Sequence, residues 1–113
     1  MDIYQMEKFL RNIDPDRLKI NSRIRTKIER KHNINIAEVL QNLRNPDLLA
    51  GLSRQSSKKP HDETYGLLFE LTKRKRLFIV ITYKTLENKI YLVTAFKTTK
   101  KAKKMLMKNP LRR

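Results

Sequence analysis

Arg23, Arg25, Lys27, Arg30 and Lys31 lead directly into His32, placing five cations beside a proton carrier within one short stretch. An imidazole takes up and gives a proton near neutral pH, and ammonium and guanidinium groups hold phosphate oxygens. Metal-free RNA cleavage asks for that combination: the substrate's own 2′-OH attacks the adjacent phosphorus while side chains remove one proton, deliver another and hold the developing charge. A histidine near a helix end is also an ordinary cap or surface residue, so both readings stand at this point. Tyr83, Thr94 and Lys97 add hydroxyls and a cation in the later, β-rich half. β-propensity explains Tyr and Thr there equally well, and solubility explains Lys. His61 sits in a polar stretch and adds little.

Other chemistries find fewer residues. The chain has no Cys, which removes disulfides, thiolate metal sites and cysteine nucleophiles. Its acids are scattered, and the adjacent pair Asp62-Glu63 lies in a polar loop, so no metal site is expected. Gly51 and Gly66 are the only glycines and neither belongs to a phosphate-cradling motif; no cofactor is expected. The charge is more telling. Lys and Arg number 27 against 11 Asp and Glu, a net +16 in 113 residues, and such self-repulsion implies a polyanionic partner. Seven bases fall in residues 17–31, four in the Lys73–Arg76 link and eight in residues 97–113. Arg23, Arg25, Lys27, Arg30, Arg74, Arg76, Lys100 and Lys101 are the expected nucleic-acid contacts. No zinc-finger spacing, basic zipper or strand-borne RNA-binding signature names a known module. Residues 1–16 run the other way, with a net −2, leaving +18 for the rest.

The elements that must position these residues are legible from period and punctuation. Ile3, Met6, Phe9, Leu10 and Ile13 predict a helix over 3–12, stopped by Asp14-Pro15. This acidic helix either packs into the core or lies over part of the basic surface and tempers it. Arg17 to Ile20 reads as a short strand or a lead-in. Asn21 or Ser22 caps a helix to about His32 with Ile20, Ile24 and Ile28 on one side, and Asn33 suits the left-handed stop. Asn35 caps a third helix, with Ile36, Val39, Leu40 and Leu43 at i, i+3, i+4, i+7 and Pro46 after it. The period then changes to two. Tyr65–Leu71, Leu77–Tyr83 and Ile90–Phe96 predict three antiparallel strands, the middle one apolar on both faces, and Asp47–Ser53 offers a fourth. Arg54–Glu63 reads as a flexible loop placed to act as a lid, and residues 98–113 as a basic C-terminal helix capped by Thr98 or Thr99.

The expectation is a single α+β domain over 1–113, N-terminal helices on an antiparallel three- to four-stranded meander. No apolar run approaches the ~20 residues a bilayer span needs, and no leader-like segment opens the chain, which reads as cytoplasmic with no membrane partner.

Lys31-His32-Asn33-Ile34-Asn35-Ile36-Ala37-Glu38-Val39, followed by Asn45-Pro46-Asp47, resembles the "KHG(I/V)-x-(F/I)-x-E-(A/V) … (D/N)-P" stretch of BrnT-type toxins and related phage-associated nucleases. These belong to the broad RelE/ParE/colicin-like ribonuclease superfamily. Ile90–Phe96 with Lys97, Lys100 and Lys101 resembles their last strand, an apolar run reaching a Ser/Thr-Ala step and then a basic segment. The resemblance spans roughly residues 22–104. It implies a toxin-like, metal-independent endoribonuclease acting on mRNA or tRNA, paired with an acidic antitoxin or immunity protein. It carries Lys31 and His32 onto the KH pair and Thr94 and Lys97 onto the last-strand positions. Asn33 departs from the usual glycine, Ile28 from a frequent Asn and Phe96 from a frequent Arg. The alternatives from other classes are a noncatalytic nucleic-acid-binding protein and an adaptor docking an acidic protein; oligomeric state is not legible.

Overall fold

A reciprocal cap starts the first helix, α1 (Ile3–Asn12). The Gln5 amide donates to the Asp2 carboxylate and the Asp2 amide donates to the Gln5 side chain, so two end donors are satisfied together. The computed structural model describes residues 1–98. Met6 and Leu10, one turn apart on α1, are buried in the main core. Of the two readings of the acidic N-terminus, packing into the core is therefore the one found. Arg11, on the outer side, pairs with Glu7 and Asp47.

A 3-10 turn, Pro15–Arg17, leads into β1 (Leu18–Lys19) and then α2 (Ser22–Lys31), capped by the Asn21 side chain on the Arg23 amide. Asn33 takes a left-handed φ of 52°, which ends the helix and lets the Ile34 amide reach back to the Ile28 carbonyl at 3.3 Å. Asn is among the few side chains that tolerate this conformation. α3 (Ile36–Arg44) follows its Asn35 cap, with Ile36, Val39 and Leu43 buried. Pro46–Leu48 forms a second 3-10 turn.

The remainder is sheet: β2 (Leu49–Gln55), β3 (Asp62–Glu70), β4 (Arg76–Lys84) and β5 (Lys89–Thr98). The order is β1-β5-β4-β3-β2. β2 to β5 form the antiparallel meander, but β1 adds to β5 in parallel, pairing Leu18 with Ile90 and Lys19 with Tyr91. The expected three- to four-stranded antiparallel sheet is thus corrected to five strands of mixed direction, because a strand of two residues carries too little pattern to reveal its distant partner. The expected loop over 54–63 also shrinks. Gln55 pairs with Thr64, and Asp62 pairs with Lys84, so cross-strand bonding extends β2 and β3 into polar sequence and leaves residues 56–61 as the connection. Thr98 ends β5; the rest of the expected C-terminal helix lies outside the described residues.

The three helices lie on one face of the sheet, over Leu67, Phe69, Leu77, Ile79, Ile81 and Ile90. The alternate residues point the other way, where Leu68, Phe78 and Val80 form a second, smaller cluster with Phe96. β4 is buried without a break from Arg76 to Ile81, as expected of the central strand. Gly66 belongs to the second face. A Cβ there would lie 2.6 Å from both the Phe78 ring and the Ser53 hydroxyl.

Candidate nucleic-acid interface

Helical spacing sorts the charges of α2. Ile24 and Ile28 face the core, while Arg23, Lys27 and Arg30 fall at i, i+4 and i+7 with Lys31 beside them. All four cations are exposed, and among the described residues none lies within 4 Å of a carboxylate. Arg25 sits on the other flank and is drawn to Glu29 at 3.8 Å. The link between β3 and β4 divides similarly. Thr72 accepts from the Arg74 and Lys75 amides, a turn that leaves Arg74 outside. Arg76 is buried instead, with its guanidinium 3.6 Å from Glu70 and donating to the Lys73 carbonyl at 3.2 Å. Lys100 and Lys101 lie outside the described residues.

His32 closes α2 as its C-cap, half-buried, with its ring 6.0 Å from that of Phe96 on β5. Lys31 stands exposed next to it. Of the other three expected site residues, Tyr83 lies elsewhere, while Thr94 and Lys97 stand near Phe96 on β5 and face opposite ways. Tyr83 lies at the far end of β4: it pairs with Ile90, whereas Leu77 pairs with Lys97, and six residues of strand separate these points by about 20 Å. The Tyr83 ring packs 4.9 Å from Phe9 and its hydroxyl donates to Asn88. Lys97 points to the helix side and pairs with Glu38 of α3 at 3.4 Å. Thr94 faces away from the helices. β5 bulges at Val93, so that Ile81 pairs with Leu92 but Val80 pairs with Thr94, and the extra residue resets the alternation.

That reset makes a continuous strip on the helix-free face. Along β5 it runs from Tyr91 through Val93 and Thr94 to Phe96, and there meets His32 at the sheet edge. At the Tyr91 end the strip opens into a groove of about 630 Å³ between the β2–β3 connection and the strands. Ser57 donates to Thr64 and Thr64 shares a hydrogen bond with Thr82, both at 2.9 Å, giving a ladder of hydroxyls across three elements. Lys84 extends over the Tyr91 ring, 5.3 Å from its centre, and reaches Asp62 at 3.9 Å. Lys58 and Lys59 line the rim, exposed. The Tyr91 hydroxyl donates to Glu87, which holds its pKa above the usual tyrosine value.

Sequence reasoning passed over this groove. Its signal was a change along one strand face, from Phe78 and Val80 to Thr82 and Lys84, with Leu68 giving way to Thr64 on the neighbouring strand. Cations, hydroxyls and an exposed aromatic edge are the groups that grip a sugar-phosphate strand and stack its bases. Among the described residues no helix is long and apolar enough to cross a membrane. No family model matches this chain, and no curated protein or solved structure is detectably similar to it.

Proposed function

We propose that this chain binds RNA as a single strand along the helix-free face of its sheet, from the Tyr91 groove past Thr94 to Phe96 and His32. One observation carries the reading: the strip on β5 joins a groove rimmed by Lys58, Lys59 and Lys84 to the edge where α2 ends, so stacking, hydroxyl and phosphate contacts follow one path. The hydroxyl ladder favours RNA over DNA because a ribose 2′-OH both gives and accepts hydrogen bonds. The exposed row Arg23, Lys27, Arg30 and Lys31 supplies the flanking positive field.

Cleavage is a second reading, favoured by the place of His32 at the end of that path beside Lys31. In this reading the chain is a toxin-like endoribonuclease, His32 serves as acid or base, Lys31 holds the phosphate, and an acidic protein covers the α2 row when activity must be blocked.

Anisotropy of a labelled oligouridylate tests the binding. Tyr91→Ala removes one stacking platform, and the loss of about 1–3 kcal/mol weakens binding roughly fivefold or more. Arg23→Gln with Lys27→Gln lowers the salt slope by about 1.4, two phosphates at ~0.7 each. Wild-type affinity in the Tyr91 variant together with an unchanged salt slope in the α2 variant overturns the proposal. RNA incubated with EDTA then decides the second reading: scission by the wild type that disappears in His32→Ala supports it, and intact RNA with the wild type leaves binding alone.

A further inference from the structure

The apolar end of the helix-free face is buried more deeply than the described residues account for. Leu68 is 0% exposed, Phe78 2% and Val80 7%, on adjacent strands with Phe96 packed beside them. Lateral neighbours close the gaps between side chains on a sheet but leave their outer surfaces in water, so burial this complete takes a second layer. The described elements do not supply one. α1, α2 and α3 pack on the opposite face, and the β2–β3 connection closes on the other end, where Ser57 meets Thr64.

Two polar groups repeat the pattern. Ser53, opposite Gly66, and Arg76, opposite Glu70, are both buried, yet the Ser53 hydroxyl and the Arg76 Nε have no hydrogen-bond partner among the described residues. Buried polar atoms cost stability unless paired, and a chain segment laid over the face brings backbone groups that pair them. The cover has a limit along the strands: Val93 on β5 is 39% exposed, and Thr82 and Lys84, beyond Val80, line the groove.

We infer that residues 99–113 of the same chain form this cover, laid across the strands from β5 toward β2. β5 delivers the chain to the right end, since Thr98 pairs with Arg76 and lies two residues beyond the Phe96–Phe78 pair. Fifteen residues follow Thr98. Three strand spacings of about 4.8 Å separate β5 from β2, a distance that fifteen residues exceed even at a compact rise of about 1.5 Å each. Their sequence is one-sided: Ala102, Met105 and Leu106 recur at i, i+3 and i+4 among Lys100, Lys101, Lys103, Lys104 and Lys108, apolar groups for the face and ammonium groups for water. A second copy is the poorer occupant, because each chain carries +16. The cover is independent of the RNA reading and leaves the Tyr91 groove open.

Nuclear Overhauser effects in the full chain provide the test, with methyl-labelled methionine as the probe. The Met105 methyl contacts the rings of Phe78 and Phe96, and mixing labelled with unlabelled protein shows no such contact between chains. Amide exchange at Leu68 and Val80 then reports the energetics. Leu106→Asp and the gentler Leu106→Ala quicken it about tenfold or more, while Lys103→Gln with Lys104→Gln leaves it unchanged. Absence of the Met105 contacts in the wild type would overturn the inference, as would exchange at the wild-type rate in both Leu106 variants. Contacts that arise only between chains would overturn it too and assign the cover to another copy. Oligouridylate binding by Tyr91→Ala bears on the RNA reading alone, so the two failures are read separately.

Discussion

The two faces of the sheet are written in alternate residues of the same strands, yet they are built to different rules. In β4, Leu77, Ile79 and Ile81 all enter the helix-side core. Their neighbours Phe78, Val80, Thr82 and Lys84 grade from apolar to charged along the other face. Covered by α1, α2 and α3, the first face gains from every apolar group and would lose from any unpaired polar one. The second has an apolar end, packed through Phe78 and Phe96 at 5.4 Å, and a polar end that meets solvent. One face is specified by stability throughout; the other gives half its length to packing and half to polar groups around a groove.

Substitutions three residues apart on β4, and so on opposite faces, probe the difference most strongly. Ile79→Ala empties a fully buried position on the helix side and costs about 2–5 kcal/mol by denaturant unfolding. Thr82→Val, three residues later, keeps the shape and removes one rung of the hydroxyl ladder. Its effect on stability stays within about 0.5 kcal/mol, while oligouridylate binding weakens. Equal destabilisation by the two would erase the distinction between the faces.

Gly66→Ala tests the apolar end of the helix-free face. The added Cβ meets the Phe78 ring and the Ser53 hydroxyl at 2.6 Å, a side chain on a neighbouring strand in each case, and overpacking of this kind costs about 1–3 kcal/mol. Gly66→Ala with Phe78→Leu in the same chain recovers part of that loss if the ring is the obstacle. A stable single variant would mean that this end of the face is loosely packed and open to ligand, like the other.

Sequence and structure part company along the same line. Helix positions were legible because caps and stripes are local: Asn21, Asn35 and the Ile24/Ile28 spacing lie within a turn or two of what they specify. β1 was legible as a short strand or lead-in over Arg17 to Ile20, but its parallel pairing with Ile90 and Tyr91 was not, since those partners lie far along the chain. The candidate cations of α2 and His32 were legible as a cluster. Which later residues share their surface depended on register. Without the bulge at Val93, alternation puts Thr94 in line with Ile90 and Leu92; with it, Thr94 turns to the free face and Lys97 to Glu38. Tyr91 was hidden by its own β-propensity, and Lys58 and Lys59 by a loop composition that gives no direction to side chains.

The smallest effect concerns two tyrosines on opposite faces. Tyr65 is buried on the helix side, and burial, then its hydrogen bond to Glu63 at 2.7 Å, push its pKa from 10.0 to about 12. The folded protein thus keeps this proton after the unfolded chain has begun to lose it. The resulting stability is complete below pH 10 and declines as pH rises toward about 12, with about 1 kcal/mol gone near pH 11 on the one-unit scale of 1.36 kcal/mol. Tyr65→Phe removes that decline, and because every lysine titrates in both proteins, the difference between their unfolding curves isolates it. Tyr91 is also raised, chiefly by its hydrogen bond to Glu87, but solvent screens an exposed pair. Tyr91→Phe should therefore track the wild type across the same range. A Tyr91 profile as steep as that of Tyr65 would mean its hydroxyl is buried by something packed over the groove, and the free face would then be a second core.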